Sequence, residues 1–441
     1  MSVDRYLNST NYQHPQEGNL LNLHKAMQYN VLGQPILRTT LGPTASDAFG
    51  RFRISQPFTL YDSFNRYQDN NKINIYTTGT ASTSTFDSSG GTIVSSIGTG
   101  SGSAVYRESD RVFAYQPGKS LLILRTFCMG PAKPGLRQRI GYFDVANGVY
   151  LEQKDDDISF VVRSSSQGSL REERASRSSW NITKLDGTGA DKIILDLSLA
   201  QILYINIEWL GVGSVELGFV INSQFIPCHR FYHSNVIGNT TTYMTTACLP
   251  IRAEIENTAT TTSTSLLRTI CSTVISEGGY ELNGRPRSVG TEIDGYIMTG
   301  NNTRVLYPLV TIRLKSGREG AIVLPKDFSY SVNDANVFRY EVLVKAITTG
   351  GTWISAGDDS SVEYNLTASS FVNSGTTVLT GLIVSSNQAS SAPQVKDFPF
   401  LYQLTRNTMT SPATRYEFVL AMKHGGNGLK GWAHINWEEI T

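Results

Sequence analysis

The stretch AQILYINIEWLGVGSVELGFVINSQF, Ala200 to Phe225, decides the fold class. In its first half Leu203, Ile205, Ile207 and Trp209 alternate with Tyr204, Asn206 and Glu208. After Gly211-Val212-Gly213 the alternation resumes, with Val215, Leu217, Phe219 and Ile221 on one face. Successive side chains of a strand point to opposite faces, so a period of two places one face in a core and the other toward solvent or a partner. The stretch predicts a β-hairpin.

The same texture extends in both directions. RVFAYQ (Arg111 to Gln116) and SLLILRTF (Ser120 to Phe127) flank Pro117-Gly118, a turn signal, and both read as strands. RQRIGYFD and GVYLEQ meet around Asn147-Gly148, a dipeptide suited to hairpin turns. LEQKDDDISFVVR repeats the arrangement, with Asp155, Asp156 and Asp157 at the tip. Thr78 to Ala104 is rich in Thr, Ser and Gly, and Ile93-Val94 and Val105 punctuate it as strands with long turns. Many short strands at close spacing predict an all-β protein, with a jelly-roll or β-sandwich main domain.

After Tyr280 the pattern lapses. ELNGRPRSVGTEIDGYIMTGNNT has no sustained period and reads as a connection. Beyond it TIRLK, AIVLP, YEVLVKAIT, SSVEYNL, TVLTGLIVS, YEFVLAMK and WAHINWEEI are further strands. The predicted organisation is an extended N-terminal arm (1–46), a main sandwich (47–281), a linker (282–303) and a second, smaller C-terminal β-sandwich (304–441). The arm carries Pro15, Pro35 and Pro43 and one apolar stripe, Leu20, Leu21, Leu23 and Met27, which follows Asn19 and suits a short helix. Too small to form a core, the stripe is the candidate interaction surface, resting on its own domain or on a neighbouring subunit.

Composition narrows the function classes. With 40% hydrophobic and 17% charged residues the chain has the makings of a folded protein rather than a disordered one. A net charge of +1 lacks the basic excess of a phosphate-neutralising protein, so no nucleic-acid partner is expected. No apolar run reaches the length of a membrane span, and the first residues lack an apolar signal core, so neither membrane insertion nor an export address is expected. Cys128, Cys228, Cys248 and Cys271 are isolated and read as reduced thiols.

Each constellation with chemical potential has a plainer reading. Cys228, His229, His233 and Cys248 invite zinc, but FIPCHRFYHS looks extended and there is no paired C-x-x-C. Glu208 and Glu216 suggest a glycosidase pair, whose carboxylates stand about 5–9 Å apart, yet both also fit the polar face of a hairpin. Asp155 to Asp157 lack the ligand spacing of a calcium loop. Tyr402, Tyr416, Trp432 and Trp437 suggest a sugar- or protein-binding cluster, or core. Alternation in WAHINW puts its two tryptophans on opposite faces. HGGNGLKG (His424 to Gly431) lacks phosphate-loop spacing and reads as a turn. No catalytic residue, metal or cofactor is expected.

Several blocks resemble a family of virion structural proteins of tailed bacteriophages, of the marine and cyanobacterial myophage type. They are DAFGRFRISQPFTLYDS (Asp47 to Ser63), YQPGKSLLILRTFCM with LRQRIGYFDVANGVYLE, and LDGTG followed by the decisive hairpin. TTYMTTACLPIRAEIEN (Thr241 to Asn257) and ICSTVISEGGYE complete the set. The resemblance implies a non-enzymatic particle component, assembled in the host cytoplasm and residing in the virion. Its partners would be other virion proteins and copies of itself, as a tail, baseplate or fibre adaptor or a capsid decoration. The alternatives are a tail-associated module binding host-surface glycan and, behind it, a glycan-cleaving enzyme.

Overall fold

The computed structural model describes residues 56–440 except 71, 190–191, 282, 300–304, 334–335, 385–393, 397–401 and 425–427, together with the backbone of 27–29 and 35–37. The chain divides into two units, Met1–Gln56 and Pro57–Thr441. In the first, Met27–Tyr29 pairs antiparallel with Pro35–Leu37. Met27 therefore lies in a strand, not in the expected helix. Leu20, Leu21 and Leu23 lie outside the described residues, and so does the block 47–55.

The second unit is all-β, with no α-helix among the described residues. The expected β-sandwich fold is observed. A seven-stranded antiparallel sheet runs in the order Arg171–Ser176, Asp157–Ser164, Gly148–Lys154, Leu136–Phe143, Ile251–Asn257, Ala104–Ser109, Ile73–Thr78. An eight-stranded sheet faces it, in the order Gln224–Phe231, Val215–Ile221, Gln201–Ile207, Leu121–Cys128, Ser265–Ser276, Thr92–Ile97, Thr83–Asp87, with Phe58–Ser63 also paired to Ser265–Ser276.

The decisive hairpin forms, and the strand residues read as one face pair with one another. Leu203 pairs with Phe219, Ile205 with Leu217 and Ile207 with Val215. All six are fully buried. Each contributes roughly 1.5–3 kcal/mol of gross transfer free energy. Trp209 lies beyond the strand end and is half-buried, packed edge-on against Tyr115 with ring centroids 5.6 Å apart. Across the sandwich Phe160 meets Phe219 at 6.2 Å.

A second pair of sheets encloses its own core, which includes Leu309, Ile312, Val342, Phe418, Ile435 and Trp437. Every strand candidate named beyond residue 303 overlaps one of its strands. The stretch 282–303 is not a bare connection. Arg285–Gly290 and Tyr296–Met298 both pair with the last strand, Leu429–Ile440, so the C-terminal sheet begins before residue 304. The pattern was illegible because these short strands lie at a sheet margin, where little side-chain surface is buried.

RVFAYQ also departs from expectation: it is extended and buried but pairs in no sheet. Its alternation survives with both faces covered. Phe113 and Tyr115 enter the main core. Val112 and Ala114 meet Ile322 and Leu324 in a small cluster that joins the two sandwiches. A strand needs a free ladder on at least one side; here the backbone takes scattered partners instead, Phe113 N donating to Leu249 O at 3.2 Å.

Candidate functional site

The strand Asp157–Ser164 ends at a loop that returns as Arg171–Ser176, and Gln224–Phe231 runs into a long segment, 232–250. The two meet at one end of the main sandwich. The long segment is tied down by its own polar groups. Asn239 Nδ2 donates to His233 O at 2.8 Å, and Tyr243 N donates to Gly211 O at 2.9 Å. Asn147, at the hairpin turn read from the sequence, donates to Thr245 Oγ1 at 2.7 Å and accepts from Thr245 N at 3.0 Å.

Between these segments lies a cleft of about 250 Å³, lined among others by Gln167, Arg171, Glu173, Tyr232, His233, Asn239 and Tyr243. Tyr232 is 59% exposed, and Val236 beside it is also exposed. His233 and Tyr243 are buried in the wall, their rings stacked at 3.9 Å and 7°. Because His233 Nδ1 lies 2.9 Å from the Gly213 carbonyl, which can only accept, Nδ1 carries a proton. Nε2 then has no hydrogen-bond partner, and the nearest charge is Glu173 at 3.6 Å. The Tyr243 hydroxyl is likewise buried without a partner. Burial pushes its pKa far up, with Tyr115 and Glu208 adding to the effect, so it stays protonated and can donate. A buried polar atom without a partner costs free energy.

The cleft therefore combines an exposed aromatic ring, a guanidinium, a carboxylate and two primary amides. Such a set suits a ligand with apolar faces and many hydroxyls. His233 was noticed in the sequence only as a metal candidate. Among the described residues no three His, Cys, Asp or Glu side chains are grouped to hold a metal ion. Cys228 is in the main core, and His229 packs edge-on against Phe231. Tyr232 to Tyr243, polar residues interleaved with aromatics, was the signal available for the cleft. Arg171 and Glu173 come from another strand and carried none.

Glu208 and Glu216 share a second open pocket, of about 320 Å³, with Ser120, Asn206, Ser214 and Arg230. Glu216 accepts from the Tyr204 hydroxyl at Oε1, 3.1 Å away, and pairs with Arg230 through Oε2, so both of its oxygens are engaged. Exposed Glu208 accepts from Ser214 at 3.3 Å. Asp155 sits at the predicted hairpin tip at φ 55° and accepts from Gly135 N at 2.7 Å.

The C-terminal aromatics take different places. Trp437 is core, whereas Trp432 lies on the other face of the strand and donates from Nε1 to Ile293 O at 3.1 Å. Tyr402 packs against the C-terminal core, and Tyr416 is half-buried.

No family model matches the chain, and no curated protein matches it. Solved structures do. A protein of unknown function from Shewanella oneidensis MR-1 is 12% identical and matches 55% of this chain and 97% of its own, with a TM-score of 0.34. The β-glucanase of Bacillus licheniformis is 10% identical over 50% of this chain and 99% of its own, at 0.31. The CBM2 module of an evolved Dit of Lactobacillus casei BL23 phage J-1 is 8% identical over 52% of this chain and 100% of its own, at 0.33. No helix among the described residues is long and apolar enough to cross a membrane.

Proposed function

We propose that this protein is a non-catalytic binding component of a tailed-phage particle, and that the cleft beside His233 and Tyr243 holds a carbohydrate. The observation that carries the reading is a cleft of about 250 Å³ with an exposed tyrosine at its rim and amide, guanidinium and carboxylate side chains in its lining. Sugars offer C–H faces to an aromatic ring and hydroxyls to amide, guanidinium and carboxylate groups. A glycan array, followed by titration with the best ligand, tests the reading. Tyr232→Ala is expected to weaken binding about tenfold or more, or ~1.4 kcal/mol, with no change in melting temperature. Wild-type protein that binds no glycan would sink it.

Catalysis is not part of the proposal, because Arg230 and Tyr204 already engage the Glu216 carboxylate. Reducing-sugar release from a bound glycan, lost in Glu216→Gln, would reverse that.

The particle role rests on the sequence blocks from Asp47 to Glu281, with other virion proteins and further copies of the chain as partners. A near-neutral chain resists dense packing least. Its tether is the arm with Leu20, Leu21, Leu23 and Met27. The described core clusters draw on no residue before Leu60. Deleting residues 1–46 is therefore expected to leave a soluble, folded protein that fails to enter particles. Incorporation at normal copy number would remove the tether from the proposal.

A further inference from the structure

The eight-stranded sheet is irregular at a place the cleft does not use. Where Ser265–Ser276 runs beside Leu121–Cys128 the register slips between Thr269 and Ser272, which brings Ser272 opposite Arg125. Bulges of this kind open a ladder and re-aim side chains. Here the irregularity borders a cavity of about 30 Å³ between the two sheets, lined among others by Ser63, Asn70, Arg107, Arg125, Thr269 and Ser272.

Arg125 is 4% exposed. Its side chain crosses to the opposite sheet, where Nη1 donates to Gly141 O at 3.1 Å and Arg252 O at 3.4 Å. Nε has no hydrogen-bond partner. Among the described residues no carboxylate pairs with this guanidinium. The cation beside it, Arg107, is held by both oxygens of Asp69 at 2.6 and 2.8 Å, so that acid is already engaged. Burial pushes the Arg125 pKa down to about 10; Tyr61 opposes the shift and Arg107 adds to it. The group is still a cation at neutral pH. A desolvated cation with only carbonyl dipoles for company calls for a counter-charge.

We infer that this cavity is a binding site for one small monovalent anion of the halide class, held by Arg125 and the hydroxyls of Thr269 and Ser272. Size sets the class, because a cavity of this volume takes a single particle near the size of water and leaves no room for phosphate or sulfate.

Crystals soaked in sodium bromide provide the direct test. An anomalous peak beside Arg125 is expected, and a water in its place would overturn the inference. In solution, the melting temperature is expected to be higher in chloride than in gluconate at equal ionic strength. That difference should vanish in Arg125→Met. Equal melting temperatures for the wild type would also overturn the inference. Should Arg125→Met not fold, Ser272→Val fills the cavity and keeps the arginine. It is expected to lose both the bromide peak and the halide dependence, and retention of either would count against the site.

Discussion

Glu172 shows at single-residue scale how the polar face of the seven-stranded sheet is balanced. Burial works to raise its pKa, but hydrogen bonds from Tyr150, Arg163 and Arg174 together outweigh it and hold the carboxyl at about 2, against an ordinary 4.5. Tyr150 donates at 2.8 Å, and Arg163 Nη2 at 2.8 Å. A depressed folded-state pKa contributes stability that is fully present above the unfolded value and is lost as pH falls through the folded one. The melting temperature is therefore expected to fall between about pH 4.5 and 2. In Glu172→Gln it should be lower at neutral pH and less steep over that window, as thermal melts at stepped pH would show. An unchanged slope would mean that these hydrogen bonds do not persist in solution. None of this was legible in REERAS, because the partners Tyr150 and Arg163 sit on two other strands.

At the scale of elements, hairpins were the most legible feature. Asn147-Gly148 sits where the turn was expected, with Gly148 directly opposite Phe143. Gly148 has φ +141°, and a Cβ there would lie 2.1 Å from Phe143 Cβ. Gly148→Ala is expected to cost at least about 1–3 kcal/mol from backbone strain alone, read as a lower denaturation midpoint. A variant as stable as the wild type would show that the turn has room to shift. RVFAYQ marks the limit of such reading. Alternation reports that two faces differ, not that the backbone between them is paired. Here the two faces contact two different cores.

The two sandwiches of Pro57–Thr441 are joined at the scale of the molecule by an apolar seam and a polar one. Leu324 is 1% exposed against Val112, Ala114 and Ile322. Beside it, Arg406 Nη1 donates to Ser109 O at 2.8 Å, Lys345 pairs with Asp110 at 2.8 Å, and Asn74 Nδ2 donates to Arg406 O at 2.8 Å. Desolvated contacts of this kind couple the stabilities of the bodies they join. Calorimetry is expected to show one unfolding transition for the wild type. Leu324→Asp buries an unpaired charge in the seam and is expected to split that transition in two. A single transition retained in the variant would locate the coupling in the polar contacts.

Residue order by itself determined the all-β class, the alternating faces of the Ala200–Phe225 hairpin and the turn at Asn147-Gly148. Alternation and turn chemistry are properties of neighbours in the chain, so they can be read without knowing the fold. Only the tertiary structure decided that Arg285–Gly290 belongs to a sheet, since its partner, Leu429–Ile440, lies far along the chain. The same holds for the cleft. His233 and Tyr243 lie on one segment and Arg171 and Glu173 on another, and no local pattern records which of two distant segments will come to lie side by side. That choice is made by the burial of two sheets against each other, a sum over the whole core rather than a property of any stretch within it.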